Sequence, residues 1–320
     1  MRRFLRAGTF APPTLLLFAA GLLWACSTAV RPQSRAPLET EPTVQQTAAA
    51  KALPATPTRE TLAAASLGGK PLPYRVLLPA DYATSSRRYP VLYLLHGLTG
   101  NEDDWWERSK LTEYAARYHL IVVTPGVGDS WYANSASDPA ARYEDAIMRD
   151  LIPHIDAQYR TLAKREGRAV AGLSMGGLGA LKFALRYPET FAFAGSFSGA
   201  FDVPLTASLG KKPSARMLNE LRKVFGDEKS QARRDNDLFT LVRRETPKGT
   251  SLPYLYVSTG KSDPLPQVAD SNPRFAEAMR ARKLKHEYYE RPGTHDWKFW
   301  DSEIEFMLGR LCVVMPQICS

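Results

Sequence analysis

Residues Ala169 to Gly177 read AVAGLSMGG, a G-x-S-x-G pattern formed by Gly172, Ser174 and Gly176. Alone, such a pattern is a common Gly-rich turn. Here an apolar, strand-like run from Ala169 to Leu173 leads into it, and an amphipathic stretch with helical spacing, Met175 to Tyr187, leads out. That setting forces a serine into a strained conformation that projects its hydroxyl, and it needs glycines on either side because a Cβ there would clash. The chemistry on offer is attack by the Ser174 oxygen on a carbonyl carbon.

A serine hydroxyl is a poor nucleophile until a histidine takes its proton, and a carboxylate must orient that histidine. At an elbow of this type the acid and then the histidine follow the serine in the chain. His96, His119 and His154 precede Ser174 and fail that order. His286 opens the strand-like run His286 to Glu290, where a sheet would hold its ring. His295 lies in the loop Pro292 to Asp296, just beyond that run, and is the expected base. For the acid, Asp263 stands immediately after the strand-like Leu252 to Ser258. Asp270 and Asp296 compete with it, although Asp296 adjoins His295 in sequence and would struggle to reach its ring. Charge developing on a carbonyl oxygen also needs backbone donors. Met175, after the nucleophile, is one expected donor. Leu98, in the turn His96-Gly97-Leu98-Thr99-Gly100 after the run Val91 to Leu95, is the other.

The elements that must position these groups alternate in type. Tyr74 to Leu78, Val91 to Leu95, Leu120 to Thr124, Ala169 to Leu173, Phe191 to Phe197, Leu252 to Ser258 and His286 to Glu290 read as strands. Leu111 to Tyr118, Tyr143 to Tyr159, Met175 to Tyr187, Pro273 to Arg282 and Trp297 to Leu311 read as helices. Such alternation predicts an α/β domain, a mostly parallel sheet covered on both faces with its chemistry at the C-terminal strand ends. Residues 60–320 form this domain. Its stretch 199–249 is polar and rich in Lys and Arg, a basic character that is either a solvated face or suited to acidic or polysaccharide-linked esters; the family resemblance given below implies an insertion there.

The chain begins with Arg2, Arg3 and Arg6, followed by an apolar run from Leu15 to Ala25, the two parts of a secretory signal, expected to span residues 1–25. That run is shorter than the roughly 20 residues needed to cross a bilayer. It stops at Leu23-Trp24-Ala25-Cys26, which resembles the bacterial lipoprotein box, so Cys26 is the expected lipidation site; Trp24 departs from the usual small or β-branched residue. Ordinary cleavage after Ala25 or Ala29 is the alternative. Residues 26–59 are rich in Pro, Thr, Ala and Gln and read as a flexible tether. The expected location is the outer side of a bacterial membrane, held by an N-terminal lipid anchor, or else the periplasm or medium as a soluble enzyme.

The 320 residues are 44% hydrophobic and 23% charged, ordinary globular values that exclude wholesale disorder and a multi-span membrane protein. A net charge of +9 is modest and scattered, without zinc-finger spacing or an RNP-like aromatic string, so no nucleic-acid partner is expected. No H-E-x-x-H or cysteine cluster is present, and neither a metal nor another cofactor is expected. Cys312 and Cys319, the two cysteines besides Cys26, can pair in an oxidising compartment.

YPVLYLLHGLTGNEDDWWE, PGVGDSWYANS, YEDAIMRDLIPHIDAQYRT, GLSMGG, GKSD and GTHDW occur in this order and together resemble the esterase D family of α/β-hydrolases, over about Leu62 to Leu311. Its members include S-formylglutathione hydrolases, tributyrin-type, feruloyl and acetylxylan esterases, and mycolyltransferases. The resemblance implies an α/β-hydrolase fold, a Ser174-Asp263-His295 triad, an oxyanion hole from Leu98 and Met175, and Trp131 and Tyr132 lining the substrate pocket. It implies a serine esterase acting on small-molecule or carbohydrate esters through an acyl-enzyme. An acyltransferase using the same triad is the alternative, and a non-catalytic surface binding protein a more distant one. Oligomeric state is not legible.

Overall fold

The computed structural model describes residues 56–205, 215–244 and 251–319. Eight strands make one sheet: β1 (Thr58–Ala63), β2 (Pro71–Leu77), β3 (Val91–Leu95), β4 (Ile121–Pro125), β5 (Arg168–Leu173), β6 (Phe193–Phe197), β7 (Tyr254–Gly260) and β8 (His286–Arg291). Their order is β1-β2-β4-β3-β5-β6-β7-β8. β1 and β2 pair antiparallel, as do β2 and β4; every other neighbouring pair is parallel.

Two-residue periodicity sorts the strand side chains into two cores. Val91, Tyr93 and Leu95 of β3 join Val123 and Val170 on one face, while Leu92 and Leu94 join Val122 and Ala171 on the other. With both faces covered, β3 and β4 are buried at every position, which is why they read as unbroken apolar runs. Helices Met175–Arg186 and Ser271–Ala281, and the helical stretch 143–158, cover the first face; Leu111–Ala115 and Trp297–Val314 cover the second. Truncating a fully buried residue such as Leu308 to Ala costs about 2–5 kcal/mol in a core of this kind.

The strands and helices read from periodicity are present, most with ends shifted by one to three residues. β1 went unread because Thr58–Ala63 is a polar, exposed edge strand with no apolar alternation. It begins at Thr58, inside the stretch read as a tether; residues 1–55, with the signal, Cys26 and most of that stretch, lie outside the described residues. Between the α-helical turns Tyr143–Asp145 and Ile152–Gln158, residues Ala146–Leu151 widen into a π-helix. Pro153 cannot donate an α-helical hydrogen bond, and the ladder opens in the turn just before it.

Within the stretch expected to be an insertion, residues 215–244 carry three helices, Ala215–Phe225, Gln231–Asp235 and Leu238–Arg243. Asp237 caps the last of these by accepting from the N–H groups of Phe239 and Thr240. In the first, Met217, Leu221 and Phe225 recur every four residues and form its inward stripe. Cys312 and Cys319 are joined by a disulfide with Cα atoms 5.8 Å apart. Among the described residues no helix is long and apolar enough to cross a membrane.

Candidate active site

At the end of β5 the chain turns into the helix Met175–Arg186 through Ser174, whose φ of 51° and ψ of −113° lie outside the regions comfortable for an L-residue. Neighbouring packing imposes this. A Cβ on Gly172 would lie 2.5 Å from the Gly176 carbonyl carbon, and one on Gly176 would lie 2.5 Å from the Leu95 oxygen, so both positions need glycine. The turn is fastened by Ser174 N–H donating to the Phe197 carbonyl at 2.9 Å, while the Ser174 carbonyl accepts from Ala200 N–H at 3.2 Å.

Asp263 follows β7 and His295 follows β8, and backbone bonds tie their loops together. Lys261 N–H donates to the Arg291 carbonyl at 2.8 Å, and Ser262 N–H to the Gly293 carbonyl at 3.0 Å. On this frame Asp263 Oδ2 lies 2.8 Å from His295 Nδ1, and Ser174 Oγ lies 3.0 Å from His295 Nε2. The carboxylate selects the tautomer with its proton on Nδ1, which leaves Nε2 to accept from the serine hydroxyl. The Asp263 side chain is wholly buried and its Oδ1 accepts from Leu265 N–H at 3.0 Å; His295 keeps 14% of its side chain exposed. Trp300 meets the His295 ring edge to face, with centroids 5.0 Å apart.

The competing residues are engaged elsewhere. Asp296 caps the helix Trp297–Val314 by accepting from Phe299 N–H at 2.9 Å. Asp270 is exposed, and His286 Nδ1 is 2.8 Å from the Leu284 carbonyl, at the end of β8 remote from the elbow. His154 pairs with the Tyr74 hydroxyl and His119 with Asp81. His96 is different: its Nδ1–H donates to the Gly97 carbonyl at 2.7 Å and its Nε2 accepts from Val127 N–H at 3.1 Å. Burial lowers its pKa below the ordinary histidine value, so the ring is neutral and pins the turn carrying Leu98. Among the described residues neither Leu98 N–H nor Met175 N–H donates to a protein acceptor. Met175 opens the helix, whose first N–H groups have no intrahelical partner.

Ser174 and His295 line a cavity of about 1080 Å³. Apolar lining residues include Trp131, Val203 and Leu265, with Met217 and Leu221 from the helix Ala215–Phe225. The segment after β3 and the start of the last helix contribute polar lining residues, Asp104, Arg108, Asp296 and Lys298, as well as Trp297 and Trp300; the Arg108 guanidinium stacks over Trp297 at 4.9 Å. Sequence reasoning missed the insertion residues and Arg108, which carried no signal beyond helical spacing in the first case and position after the oxyanion turn in the second. Trp131 is in the cavity wall as expected. Tyr132 is not: its fully buried ring lies beneath the turn carrying Leu98, with the hydroxyl donating to the His96 carbonyl at 3.1 Å. Both residues have positive φ, 56° and 53°, and this tight turn sends the adjacent side chains to different places. No group of three or more His, Cys, Asp or Glu converges as a metal site among the described residues.

Comparison with known proteins gives a consistent picture. A family model described as Putative esterase matches residues 64–311. An acetyl esterase of Caldicellulosiruptor saccharolyticus is 30% identical over 221 residues, 68% of this chain and 82% of that protein. Fluorophosphonate-binding serine hydrolase F of Staphylococcus aureus, solved with substrate bound, has a TM-score of 0.71 at 25% identity, covering 81% of this chain and 98% of that one. A ferulic acid esterase structure has a TM-score of 0.67 at 26% identity, covering 82% and 98%.

Proposed function

We propose how this chain, which belongs to the Putative esterase family and is a serine esterase of the α/β-hydrolase fold, performs its reaction. Ser174 is the nucleophile, His295 the general base and acid, and Asp263 the carboxylate that orients and stabilises the imidazolium. The observation that carries this reading is the position of His295, within hydrogen-bond distance of Asp263 on one nitrogen and of Ser174 on the other.

As Ser174 Oγ attacks the ester carbonyl, its proton passes to His295 Nε2, and the carbonyl oxygen takes up negative charge between Leu98 N–H and Met175 N–H. The tetrahedral intermediate collapses as His295 returns the proton to the departing alkoxide, leaving an acyl-Ser174 ester. Water then attacks that ester with its proton taken by His295, and the acid is released. The acyl group, which stays bound through this second step, is assigned to the apolar lining residues Trp131, Val203, Met217, Leu221 and Leu265. The alcohol is assigned to the polar lining residues Arg108 and Lys298, which suits a short-chain acyl ester of a carbohydrate or other polar alcohol.

Ser174→Ala is expected to abolish hydrolysis of p-nitrophenyl acetate with the unfolding midpoint retained, and intact mass after fluorophosphonate treatment should show one adduct, lost in that variant. Retained hydrolysis in purified Ser174→Ala would sink the assignment. A graded acyl series, with and without a sugar acceptor, separates hydrolysis from acyl transfer.

The location reading is also a proposal: export by the N-terminal signal and attachment through a lipidated Cys26. A diacylated cysteine, at about 0.8 kcal/mol per buried methylene, holds a soluble domain at a bilayer. Cys26→Ala should shift the enzyme out of the membrane fraction or leave it unprocessed. Wild-type protein found soluble in the medium with its N-terminus beyond Cys26 would rule attachment out.

A further inference from the structure

Lys182 lies on the elbow helix, eight residues after Ser174, with its side chain wholly buried. Its Nζ donates to the Tyr132 carbonyl at 2.6 Å and to Asn236 Oδ1 at 2.8 Å, and pairs with Glu144 Oε2 at 3.1 Å. An ammonium has three protons to donate, and here three acceptors take them, so Lys182 has none left for chemistry. What it does is join the elbow helix to three other parts of the molecule: the segment after β4 through Tyr132, the helical stretch 143–158 through Glu144, and the insertion through Asn236.

The Tyr132 carbonyl belongs to a strained turn beside the cavity wall. Trp131 and Tyr132 are consecutive bulky residues in the left-handed region, a conformation costing about 1–2 kcal/mol per residue that persists only where the surroundings enforce it. Three contacts enforce it. Lys182 holds the carbonyl, the His96 carbonyl holds the Tyr132 hydroxyl, and the Tyr132 ring lies against Gly179 of the elbow helix so closely that a Cβ there would come within 2.8 Å of it. Trp131 is thereby set in the cavity wall against Phe225 of the insertion, with ring centroids 6.1 Å apart.

We propose that Lys182 is a positioning residue of the esterase site: by holding the Tyr132 carbonyl it fixes Trp131 as the wall that selects the acyl group and Tyr132 as the support of the oxyanion turn. This rests on the esterase reading given above. Without the ammonium, the Trp131-Tyr132 peptide relaxes toward ordinary backbone angles, Trp131 leaves the wall, and the turn carrying Leu98 loses its support.

The test compares Lys182→Met, Trp131→Ala and the double variant on p-nitrophenyl acetate and octanoate, with active sites counted by fluorophosphonate titration. Leu308→Ala, in the core on the other face of the sheet, shows what destabilisation alone does. Lys182→Met should lower kcat on acetate at least tenfold and shift the acetate-to-octanoate ratio of kcat/KM at least tenfold. The double variant should show no further shift in that ratio beyond Trp131→Ala, because Lys182 acts through Trp131. Lys182→Met with wild-type kcat and ratio, or a ratio shift additive with that of Trp131→Ala, overturns the proposal. If Lys182→Met does not fold, Lys182→Met/Glu144→Leu removes both buried charges and carries the same comparison. A wild-type chain that neither hydrolyses esters nor takes the label would instead sink the esterase reading, and this inference with it.

Discussion

Two buried carboxylates, Asp263 and Glu144, each face a nitrogen base within about 3 Å, yet their environments differ in one respect that decides what they can do. Asp263 engages one nitrogen of His295 and leaves the other in reach of Ser174 and the cavity. Glu144 engages Lys182, and its other oxygen takes the Tyr187 hydroxyl at 2.7 Å and the Arg186 guanidinium at 3.2 Å, so the cluster is closed. Burial and pairing are common to both. An open valence on the partner belongs to the first alone, and it separates a group that can move a proton from one that holds a fold in place.

The largest effect that could break this contrast is at the open pair. His295→Ala should reduce kcat by several orders of magnitude, as in Ser-His-Asp systems generally, with little change in the urea midpoint. If His286→Ala abolished activity and His295→Ala did not, the pairing of function with open valence would be wrong. Asp263→Asn should cost about 10³–10⁴-fold in kcat, since an amide can favour the wrong imidazole tautomer. Asp270→Asn serves as its control, and a comparable loss there would reassign the acid.

At the closed cluster the expected loss is in stability. Glu144→Leu strands the Lys182 charge and should cost about 3–5 kcal/mol of unfolding free energy by urea titration. A cost below 1 kcal/mol would show that the cluster is not closed in solution. The smallest effect is in acid. Burial alone would raise the Glu144 carboxyl, but the charges of Lys182 and Arg186 outweigh it and hold the pKa below the ordinary glutamate value. The unfolded chain therefore binds the proton first as pH falls. The stabilisation is fully present above the unfolded value of about 4.3 and is lost as pH drops through the folded one. Unfolding measured from pH 6 down to pH 3 should show a steeper loss for wild type than for Glu144→Leu; parallel slopes would contradict the assignment.

Much of this site could be read from residue order. Ser174 announces itself through Gly172 and Gly176, and chain order leaves His295 after β8 and Asp263 after β7 as the groups that can meet it. What could not be read depends on backbone sign and on long-range closure. Trp131 and Tyr132 are neighbours in sequence and the resemblance places both in one pocket, but their positive φ values send one ring to the cavity and the other beneath the turn carrying Leu98. Lys182 sits between Leu181 and Phe183 and would read as the polar side of an amphipathic helix; that helix is enclosed along most of its length, and the partners Glu144 and Asn236 lie 38 and 54 residues away. Met217 and Leu221 approach the site because a polar insertion folds back, and no local pattern specifies that return. β1 lacked a signal because an edge strand need not alternate.

The backbone of Ser174 carries a further consequence. A residue held at φ 51° and ψ −113° is conformational energy stored at the proposed nucleophile, of order 1–3 kcal/mol, maintained by the packing of β5, β6 and the elbow helix around it. Glycine adopts such angles without a Cβ penalty. A catalytically dead Ser174→Gly protein should therefore be as stable as the working enzyme or more so, despite the extra chain entropy of glycine in the unfolded state. At this one position the sequence that folds best and the sequence that turns over substrate part company, and selection for stability alone would erase the nucleophile.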